Sequence, residues 1–426
     1  MNAGTWRTLA YIVAAAWAGL VLARPVSAAG GDWPQWLGPD RSCVVPAGSL
    51  PAAWPAGGPK LLWKVPCGQG CSTPVVSAGR VVVMDRVGDT ERIICLWAKD
   101  GKELWKVQYA ETFKAPGRKW GNGARSTPAT DGKWVYCLGV GGQLTAVELA
   151  SGKVMWRRPL LAARSNLKYG AYANVLLVGE LLIVMKAHRP AVLALEKRTG
   201  RTVWSALGTG QYLGSPVCTR LAGRQQLVAA VWKYIAGLDP KTGKVLWKHP
   251  HPRPVDAFFT PAVHRDVVYF NGYGIPGYAF KVIAEEKGFR TKDLWRSGQV
   301  RTWFNGAAAR NGRLYVAAQS HKQPYLFCCD VATGKVLWKF RIPGLGAKVA
   351  SWVVVSGERL LVMVEDGRVI LGRDAGDAFE ELGRTRILSK TAFAMPAVVD
   401  GRLYARDFHN VVCLDLKSGA GGQRKQ

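Results

Sequence analysis

The chain has 426 residues, of which 58 are Lys or Arg and 29 are Asp or Glu, so its formal net charge is +29. The basic residues are spread through the chain, and no nucleic-acid-binding motif accompanies them, which argues against a DNA-binding class of protein. The charge leaves two interpretations, a solvated basic surface or a polyanionic partner such as an acidic polysaccharide or anionic lipid headgroups.

Residues 1–28 are predicted to form a secretory signal. Arg7 supplies a positive start, Leu9–Leu22 is an apolar run too short for a comfortable membrane span, and Val26–Ala28 offers small residues for cleavage. An uncleaved membrane anchor is the alternative. We expect cleavage near Ala28, a mature chain of about +27 without a transmembrane span, and a periplasmic or extracellular location.

Residues 29–60 are too rich in Pro and Gly for regular structure. The segment carries Trp33 and Trp36, two large apolar side chains. We predict an irregular segment that packs on the folded domain before its first strand. An arm that binds a partner is the alternative.

From residue 61 onward, one short pattern returns at intervals of 42 to 51 residues. Its fullest copy is Thr242–Trp247, a Gly-containing turn that is followed by Lys, two apolar residues and Trp. Further copies end at Trp63, Trp105, Trp156, Trp204, Trp295 and Trp338. A period in the forties with strand-like contents is typical of a propeller or a solenoid.

The stretch that ends at Trp156 indicates how one repeat folds. Trp134–Leu138 and Leu144–Leu149 are rich in β-branched and aromatic residues, as strands are. Gly141-Gly142 and Ser151-Gly152 mark the turns, where Gly supplies the positive φ that tight turns need. Four short antiparallel strands joined by tight turns make one propeller blade.

The repeats therefore predict an all-β fold, an eight-bladed β-propeller of four-stranded antiparallel blades. A degenerate outer strand is predicted near 381–387. Leu61–Val65 precedes any inner strand, while the last repeat lacks an outer strand, so this N-terminal strand is predicted to complete the last blade and close the ring. Residues 61–419 then form one domain, and 420–426 a disordered tail. Inner strands are predicted to begin near Ser72, Ser126, Ala173, Gly214, Phe259, Gly306, Ser351 and Met395.

The nine cysteines follow the repeats. Export permits disulfides, and an odd number leaves at least one free thiol. Cys67 and Cys71, in a Gly-rich loop, are better placed for a local bridge than the others. No pair of CxxC units is present, so no zinc site is predicted. Alignment on the turn Gly places four in slots that want small or apolar buried residues, namely Cys95, Cys328, Cys329 and Cys413.

A binding site in a propeller is expected at one mouth of its central channel. The segments before the inner strands and the loops between second and third strands build that mouth. Aromatic rings interleaved with cations suit flat or anionic ligands and protein contacts, although each aromatic could instead plug the channel. The candidate residues are Arg125, Tyr172, His188, Tyr212, Trp232, Asp256, Phe258, Arg301, Trp303, Asn305, His321, Lys348, Trp352, Phe393 and His409. The three histidines lie in non-neighbouring repeats, so no metal site is predicted.

The turn sequences Asp239–Trp247 and Asp330–Trp338 strongly resemble the pyrroloquinoline-quinone-like (PQQ-like) propeller repeat. The resemblance runs from Leu61 to the end, roughly 85% of the chain, and Trp33–Arg41 is similar to the leader of many exported propellers of this type. The family includes quinoprotein alcohol dehydrogenases and cofactor-free members such as the BamB-like eight-bladed lipoprotein of the outer-membrane β-barrel assembly machinery. The resemblance thus implies the fold and leaves the activity open.

The resemblance to the dehydrogenases implies bound PQQ, a Ca²⁺ ion and an Asp base, and in many members an adjacent-Cys disulfide against the quinone. Cys328-Cys329 matches that feature superficially, but the repeat alignment puts both within a third strand. Loops here are too short to roof a quinone. No lipid-attachment Cys follows the apolar run until Cys43, which departs from the assembly-factor pattern.

No catalytic set emerges from the sequence. We therefore expect an exported, monomeric, non-catalytic binding or assembly scaffold without a cofactor. It would hold a protein partner, or a polyanionic or small flat ligand, at the channel mouth. The alternative is a small quinoprotein, a PQQ- and Ca²⁺-dependent alcohol or sugar dehydrogenase.

Overall fold

The computed structural model describes residues 31–55, 57–115, 121–161, 169–187, 189–208, 214–255, 259–272, 274–300, 306–320, 323–343, 350–389 and 391–417. Within these ranges the chain forms 33 β-strands, arranged as eight sheets around a ring. The predicted all-β, eight-bladed propeller is confirmed. The same ranges contain no helix capable of crossing a bilayer.

Each blade takes four antiparallel strands from the channel outward, and the strands are numbered β1 to β33 along the chain. The innermost strands of blades 1 to 8 are β3 (Val75–Ser77), β7 (Ala129–Thr130), β11 (Leu176–Val178), β15 (Val217–Leu221), β19 (Ala262–His264), β23 (Ala307–Arg310), β27 (Ser351–Ser356) and β31 (Ala397–Val399). The second strands are β4 (Arg80–Val87), β8 (Trp134–Leu138), β12 (Leu181–Met185), β16 (Arg224–Val231), β20 (Val267–Phe270), β24 (Arg313–Ser320), β28 (Arg359–Val364) and β32 (Arg402–Arg406).

The two outer positions complete the blades. The third strands are β5 (Thr90–Trp97), β9 (Gln143–Glu148), β13 (Val192–Glu196), β17 (Tyr234–Leu238), β21 (Gly277–Glu285), β25 (Gln323–Asp330), β29 (Arg368–Asp374) and β33 (Asn410–Asp415). The outer strands are β6 (Glu103–Ala110), β10 (Val154–Pro159), β14 (Thr202–Ala206), β18 (Val245–Pro250), β22 (Gly288–Ser297), β26 (Val336–Arg341), β30 (Phe379–Arg386) and, for blade 8, β2 (Lys60–Pro66).

Ring closure joins the two ends of the propeller sequence in blade 8. β2 pairs antiparallel with β33, and Trp63 faces Cys413 across the pair. The closure predicted for Leu61–Val65 is therefore confirmed. It gives blade 8 its outer strand.

Strand boundaries differ from the predicted ones at most inner strands and at the outer strand of blade 7. Most inner strands begin two or three residues late, as at Val75 instead of Ser72, because the residues before them bond to the neighbouring blade. The outer strand of blade 7 covers Phe379–Arg386 rather than 381–387.

Every outer strand contains a β-bulge at the same point of the repeat. In blade 2 the register shifts between Val154 and Trp156, so Met155 is the extra residue. A bulge interrupts the strict alternation of faces. It lets an outer Trp pack against the next blade.

The outer Trp of one blade docks on the turn Gly of the next. In blade 1 the ring of Trp105 lies so close to Gly152 of blade 2 that a Cβ there would stand 2.6 Å from it. The indole N–H of Trp105 donates to Leu149 O at 2.9 Å. Since only Gly leaves room for the ring and accepts the turn's positive φ, the repeated Gly and Trp form one contact. The same docking is made by Trp63, Trp156, Trp204 and Trp295.

The third-strand residue opposite each docking Trp is small. In blade 4 it is Gly237, where a Cβ would stand 2.2 Å from Trp247. This third-strand position therefore needs a small residue because the indole of the facing Trp occupies the space beside it. The other blades with an outer Trp use Cys95, Ala146, Ala194, Ala279, Cys328 and Cys413.

Residues 31–50, here called the plug, lie across one end of the channel. β1 (Val44–Val45) pairs in parallel with the inner strand β27 and makes blade 7 five-stranded. Trp33 is fully buried and exchanges backbone hydrogen bonds with Val76 of blade 1. The buried guanidinium of Arg41 donates to carbonyl oxygens of Val175 and Pro216, in blades 3 and 4.

The plug reaches the remaining blades through single hydrogen bonds and packing contacts. The indole N–H of Trp36 donates to Thr260 Oγ1 in blade 5 at 3.0 Å. Thr130 of blade 2 donates its N–H to Pro34 O at 2.9 Å. Leu37 packs against Gly306 ahead of β23, and Gly31 lies against Asp400 in blade 8. The plug thus contacts all eight blades.

Candidate functional site at the channel mouth

One end of the channel is built by the segments before the inner strands and by the hairpins between second and third strands, and the plug reaches into the channel as far as several of these segments, at Asn174, Pro216 and Thr260. Buried side chains join these segments from blade to blade. Thr73 N–H donates to Thr127 Oγ1 at 3.0 Å, Thr127 N–H to Asn174 Oδ1 at 2.5 Å, and Asn174 N–H to Ser215 Oγ at 2.9 Å. The mouth therefore rests on a bonded rim that spans blades 1 to 4.

Arg86 holds the connection between blades 1 and 2. Its side chain is almost fully buried at the end of β4. The guanidinium donates to Phe113 O and Glu111 O, each at 2.7 Å, and pairs with Asp89 at 2.8 Å. Its hydrogen-bonding capacity is spent on this connection.

Arg406 plays the corresponding part between blades 8 and 1, with no exposed surface. Its guanidinium donates to Gly68 O at 2.8 Å and to Met84 O. A carboxylate supports the same corner, since Asp407 Oδ1 accepts from the N–H groups of His409 and Asn410 at 2.8 and 2.7 Å.

Two carboxyl groups of blade 1 meet the β8–β9 hairpin of blade 2. Glu91, which is fully buried, accepts from Tyr109 OH at 2.8 Å and from Val140 N–H at 3.1 Å. Glu111 accepts from Gly141 N–H at 3.1 Å. Burial raises the pKa of Glu91 to about 7, against the lowering by these hydrogen bonds. Gly139 belongs here because a Cβ would stand 2.3 Å from the Glu91 carboxyl.

Among the predicted site residues, Arg125 and Phe393 fall in one cluster. Arg125 is half-buried, donates to Gly121 O at 3.1 Å and lies 5.7 Å from the ring centre of Phe113. Burial lowers its pKa. Phe393 packs on Phe408 with ring centres 5.6 Å apart, and Gly121 lies against the same Phe408 ring. Both residues are thus part of the packed wall between blades 8, 1 and 2.

Trp232 is the predicted residue that most clearly faces solvent. It stands on the β16–β17 hairpin of blade 4 with 41% of its surface exposed. Lys233 Nζ lies 5.5 Å from its ring centre. The hairpin is held by Val255 N–H, which donates to Trp232 O at 2.9 Å, so the indole projects from a fixed backbone.

The remaining described candidates occupy three different settings. Tyr172 is half-buried and lines a small pocket with Lys186 between blades 2 and 3. Trp352 is buried in β27 and contributes to the core. His409 is exposed, and its backbone O accepts from Cys67 N–H at 2.7 Å.

The other predicted residues lie outside the described ranges, namely His188, Tyr212, Asp256, Phe258, Arg301, Trp303, Asn305, His321 and Lys348. Two of the three histidines are among them. Within the part of the chain that the structure describes, no three His, Cys, Asp or Glu side chains cluster as a metal site would require.

All nine cysteines are free thiols, including Cys67 and Cys71, so the local bridge expected there is not formed. Each backbone N–H of that pair is held elsewhere, Cys67 by His409 O and Cys71 by Ala124 O. Cys328 and Cys329 are buried in β25, where Cys328 lies opposite Trp338. Consecutive strand residues point to opposite faces of the sheet. This pair therefore does not fit a disulfide lying against a channel-bound quinone.

Sequence reasoning left Arg406 and Glu91 out of the candidate set. The repeat alignment carried a signal for Arg406, because the other blades mostly use apolar residues at that position, such as Met84, Leu138 and Met185. A lone Arg in an apolar slot indicates a special partner. Glu91 lies in a hairpin position where the repeats share no residue type, so the sequence held no comparable signal.

A protein-family model described as outer membrane protein assembly factor BamB matches residues 40–165, 89–287 and 282–420. The BamB of Moranella endobia is 28% identical over 154 residues, which is 36% of this chain and 36% of that protein. The chain is thus aligned with about a third of the length of this curated relative.

Solved structures share the fold. The crystal structure of BamB from Moraxella catarrhalis superposes with a TM-score of 0.60 at 17% identity, covering 84% of this chain and 99% of that one. The quinohemoprotein alcohol dehydrogenase of Comamonas testosteroni superposes with a TM-score of 0.62 at 12% identity, covering 91% and 80%. Both likenesses concern the architecture alone.

Proposed function

This chain belongs to the family described as outer membrane protein assembly factor BamB, and from that premise we propose that it is an exported scaffold that binds a protein partner at the mouth of its channel. The relatives carry the name of assembly factors, and the partner would be a component of outer-membrane protein assembly. The scaffold needs no cofactor, and that expectation stays a prediction.

The main support for the proposal is that the buried charged side chains at the mouth are hydrogen-bonded to the protein's own backbone. Arg86 and Arg406 spend their donors on the backbone of connecting segments, and Glu91 and Glu111 accept from a neighbouring hairpin. Groups that hold blades together in this way stabilise a rigid platform. A catalytic acid or base would instead point at a reacting ligand.

Trp232 supplies the contact residue that such a platform needs. Trp is enriched among the residues that dominate protein interfaces. Its position beside Lys233 pairs an apolar ring with a cation on a held hairpin. We therefore assign Trp232 to the centre of the partner contact.

A photo-reactive amino acid placed at Trp232 tests this contact. We expect a covalent adduct with an outer-membrane protein-assembly component in the cell that exports the chain. The matched control carries the same amino acid at Lys287, an exposed turn position of blade 5, and should give none.

Two outcomes would contradict the scaffold. Equal adducts at both positions would show that the mouth has no privileged role. Stoichiometric binding of PQQ with Ca²⁺, accompanied by dye-linked oxidation of an alcohol, would replace it with the quinoprotein alternative.

A further inference from the structure

The described part of the chain exposes eight large apolar side chains, and six of them lie along one edge of the ring. This edge is formed by the turns that lead into the outer strands of blades 8, 1, 2, 3 and 4. The six are Leu61, Trp97, Leu104, Met155, Val203 and Val245. The other two, Val87 and Trp232, belong to hairpins at the mouth.

The bulge explains part of this exposure. Leu104, Met155 and Val203 are the extra residues of their bulges, and 39 to 54% of their surface is exposed. The following Trp is turned inward to the next blade, so the residue before it faces outward.

A cation accompanies each of these apolar positions. An exposed Lys or Arg stands one or two residues before the apolar side chain in all five blades. We call this set and the six apolar side chains the basic rim. Its cations are Lys60, Lys102, Lys153, Arg201 and Lys244.

The rest of the same edge has a different composition. The turn of blade 5 carries Glu285 and Glu286, and the outer edge of blade 7 carries Asp377, Glu380 and Glu381. The bulge residues Leu294 and Leu382 are half-buried there, as Leu62 and Leu246 are in blades 8 and 4. The positions that correspond to the exposed Leu61 and Val245 carry Asp293 in blade 5 and Glu381 in blade 7. Among the described residues of this edge, the exposed large apolar side chains are therefore confined to blades 8 and 1 to 4, whereas exposed cations also occur in blades 5 and 6, as Lys287 and Lys335.

We propose that the basic rim binds the surface of an anionic lipid bilayer. Lys and Arg are attracted to anionic headgroups, and the apolar side chains next to them can enter the interfacial region. Protein hot spots gather at the centre of a packed patch. The rim instead spreads one apolar residue and one cation over each of five blades, an arrangement that a fluid surface can meet at every point. A second copy of the chain would bring like charges together here.

The path of the chain supports the same orientation. Gly31 lies against Asp400, in the turn between β31 and β32 of blade 8, and that turn faces the plugged side of the ring. Gly31, the first described residue, therefore lies on the face that carries the rim.

Binding of the full chain to vesicles tests the proposal. Vesicles of phosphatidylcholine with one quarter phosphatidylglycerol are compared with pure phosphatidylcholine by flotation near 0.15 M and 0.5 M salt. We expect binding to the anionic vesicles that weakens at high salt. Because the leader is identical in every variant, its contribution cancels between them.

Three triple variants locate the binding surface. Lys102→Gln, Lys153→Gln and Lys244→Gln together should lower binding more than tenfold, since each surface cation contributes about fivefold. Leu104→Gln, Met155→Gln and Val203→Thr together should lower it severalfold, also at high salt. The control, Lys281→Gln, Lys287→Gln and Lys292→Gln on blade 5, changes the net charge equally and should lower it less than twofold. A thermal melt of each variant verifies that the ring is intact.

Three results would overturn the assignment. Equal losses of vesicle binding in the rim and control variants would show that the binding depends on the net charge of the protein and not on the rim. Equal binding to neutral vesicles would remove the anionic requirement, and concentration-dependent self-association that the rim variants abolish would assign the rim to a second copy. The adduct at position 232 should survive in the rim variants, so failure here leaves the proposed mouth contact untouched.

Discussion

Four buried charged residues of this protein are paired with backbone groups of another blade or segment. Arg41, Arg86 and Arg406 donate to carbonyl oxygens, and Glu91 accepts from an N–H group. A buried charge is tolerated only where hydrogen bonds replace its hydration. Each of these side chains therefore keeps its hydrogen bonds only when the neighbouring segment is correctly packed. A substitution at any of them tests that packing.

Glu91 makes such a probe sensitive to pH. Its pKa is about 7 in the folded protein and near 4.5 as an ordinary carboxyl, with burial as the main cause. The raised value means that the folded state keeps the proton longer, so stability is fully present below pH 4.5 and falls as pH rises to about 7. The loss amounts to roughly 3 kcal/mol.

We expect Glu91→Gln to remove this part of the pH dependence. Its free energy of unfolding, relative to the parent chain, should rise between pH 5 and pH 8, because Gln carries no ionisable proton. Urea titrations at both values measure the difference, with Glu103→Gln on the exposed outer strand as the matched control. A constant difference between parent and variant would show that Glu91 does not titrate in this window.

At the scale of the strand, the outer position of the blade couples one blade to the next. The bulge, the inward Trp and the turn Gly occur together, and the indole both fills the turn and bonds to its carbonyl. Blade 7 breaks the series, since its outer strand has Gly383 at the Trp position. Blades 6 and 4 also depart from it, since Trp338 bonds to the side chain of Asp374 at 2.9 Å and Trp247 bonds to the side chain of Gln226 at 2.6 Å, rather than to a turn carbonyl.

Ala substitutions at two glycines distinguish the stability contributed by the Trp contact from the stability cost of placing Ala at a positive φ. Gly152 has φ +74° and lies under Trp105, whereas Gly223 has φ +81° with open space around its Cα. We expect Gly152→Ala to cost about 1–3 kcal/mol more than Gly223→Ala, because only the first forces the indole away. Chemical denaturation of both variants measures the difference. Equal costs would mean that the Trp ring does not need the glycine.

At the scale of the whole molecule, two N-terminal elements act on the ring in different ways. β2 completes blade 8, whereas the plug covers one end of the channel and reaches every blade. The plug brings Trp33, Leu37 and Cys43 to near-complete burial. The plug therefore adds buried apolar side chains to the hydrophobic core as well as covering the channel.

Two truncations distinguish the elements. Removal of residues up to 58 should leave the ring closed, lower the melting temperature and expose an apolar channel that binds a hydrophobic dye. Removal up to 66 should also open blade 8 and cause aggregation, because β33 would become an exposed edge. Dye fluorescence and light scattering on the two forms report these effects. Identical behaviour of both would mean that β2 adds nothing to closure.

The blade number, the four-stranded blades and closure by Leu61–Val65 were all predictable from the sequence. They depend on a local signal, a turn Gly and a Trp at fixed spacing, that one repeat contains and the others copy. The small residue at the Cys95 and Ala146 positions was visible in the alignment too, although its cause, the indole across the bulge, needed the register.

The tertiary structure alone decided what individual long side chains touch. Arg125 and Trp232 both looked like mouth residues, yet the first is tied to Gly121 and Phe113 and the second faces solvent. The apolar residues beside the turn cations also gave no direction until the ring placed the exposed ones, in blades 8 and 1 to 4, on one edge. The physical reason is that period and turn chemistry are local properties of the chain, whereas the partner of a side chain depends on which blades the closed ring brings together.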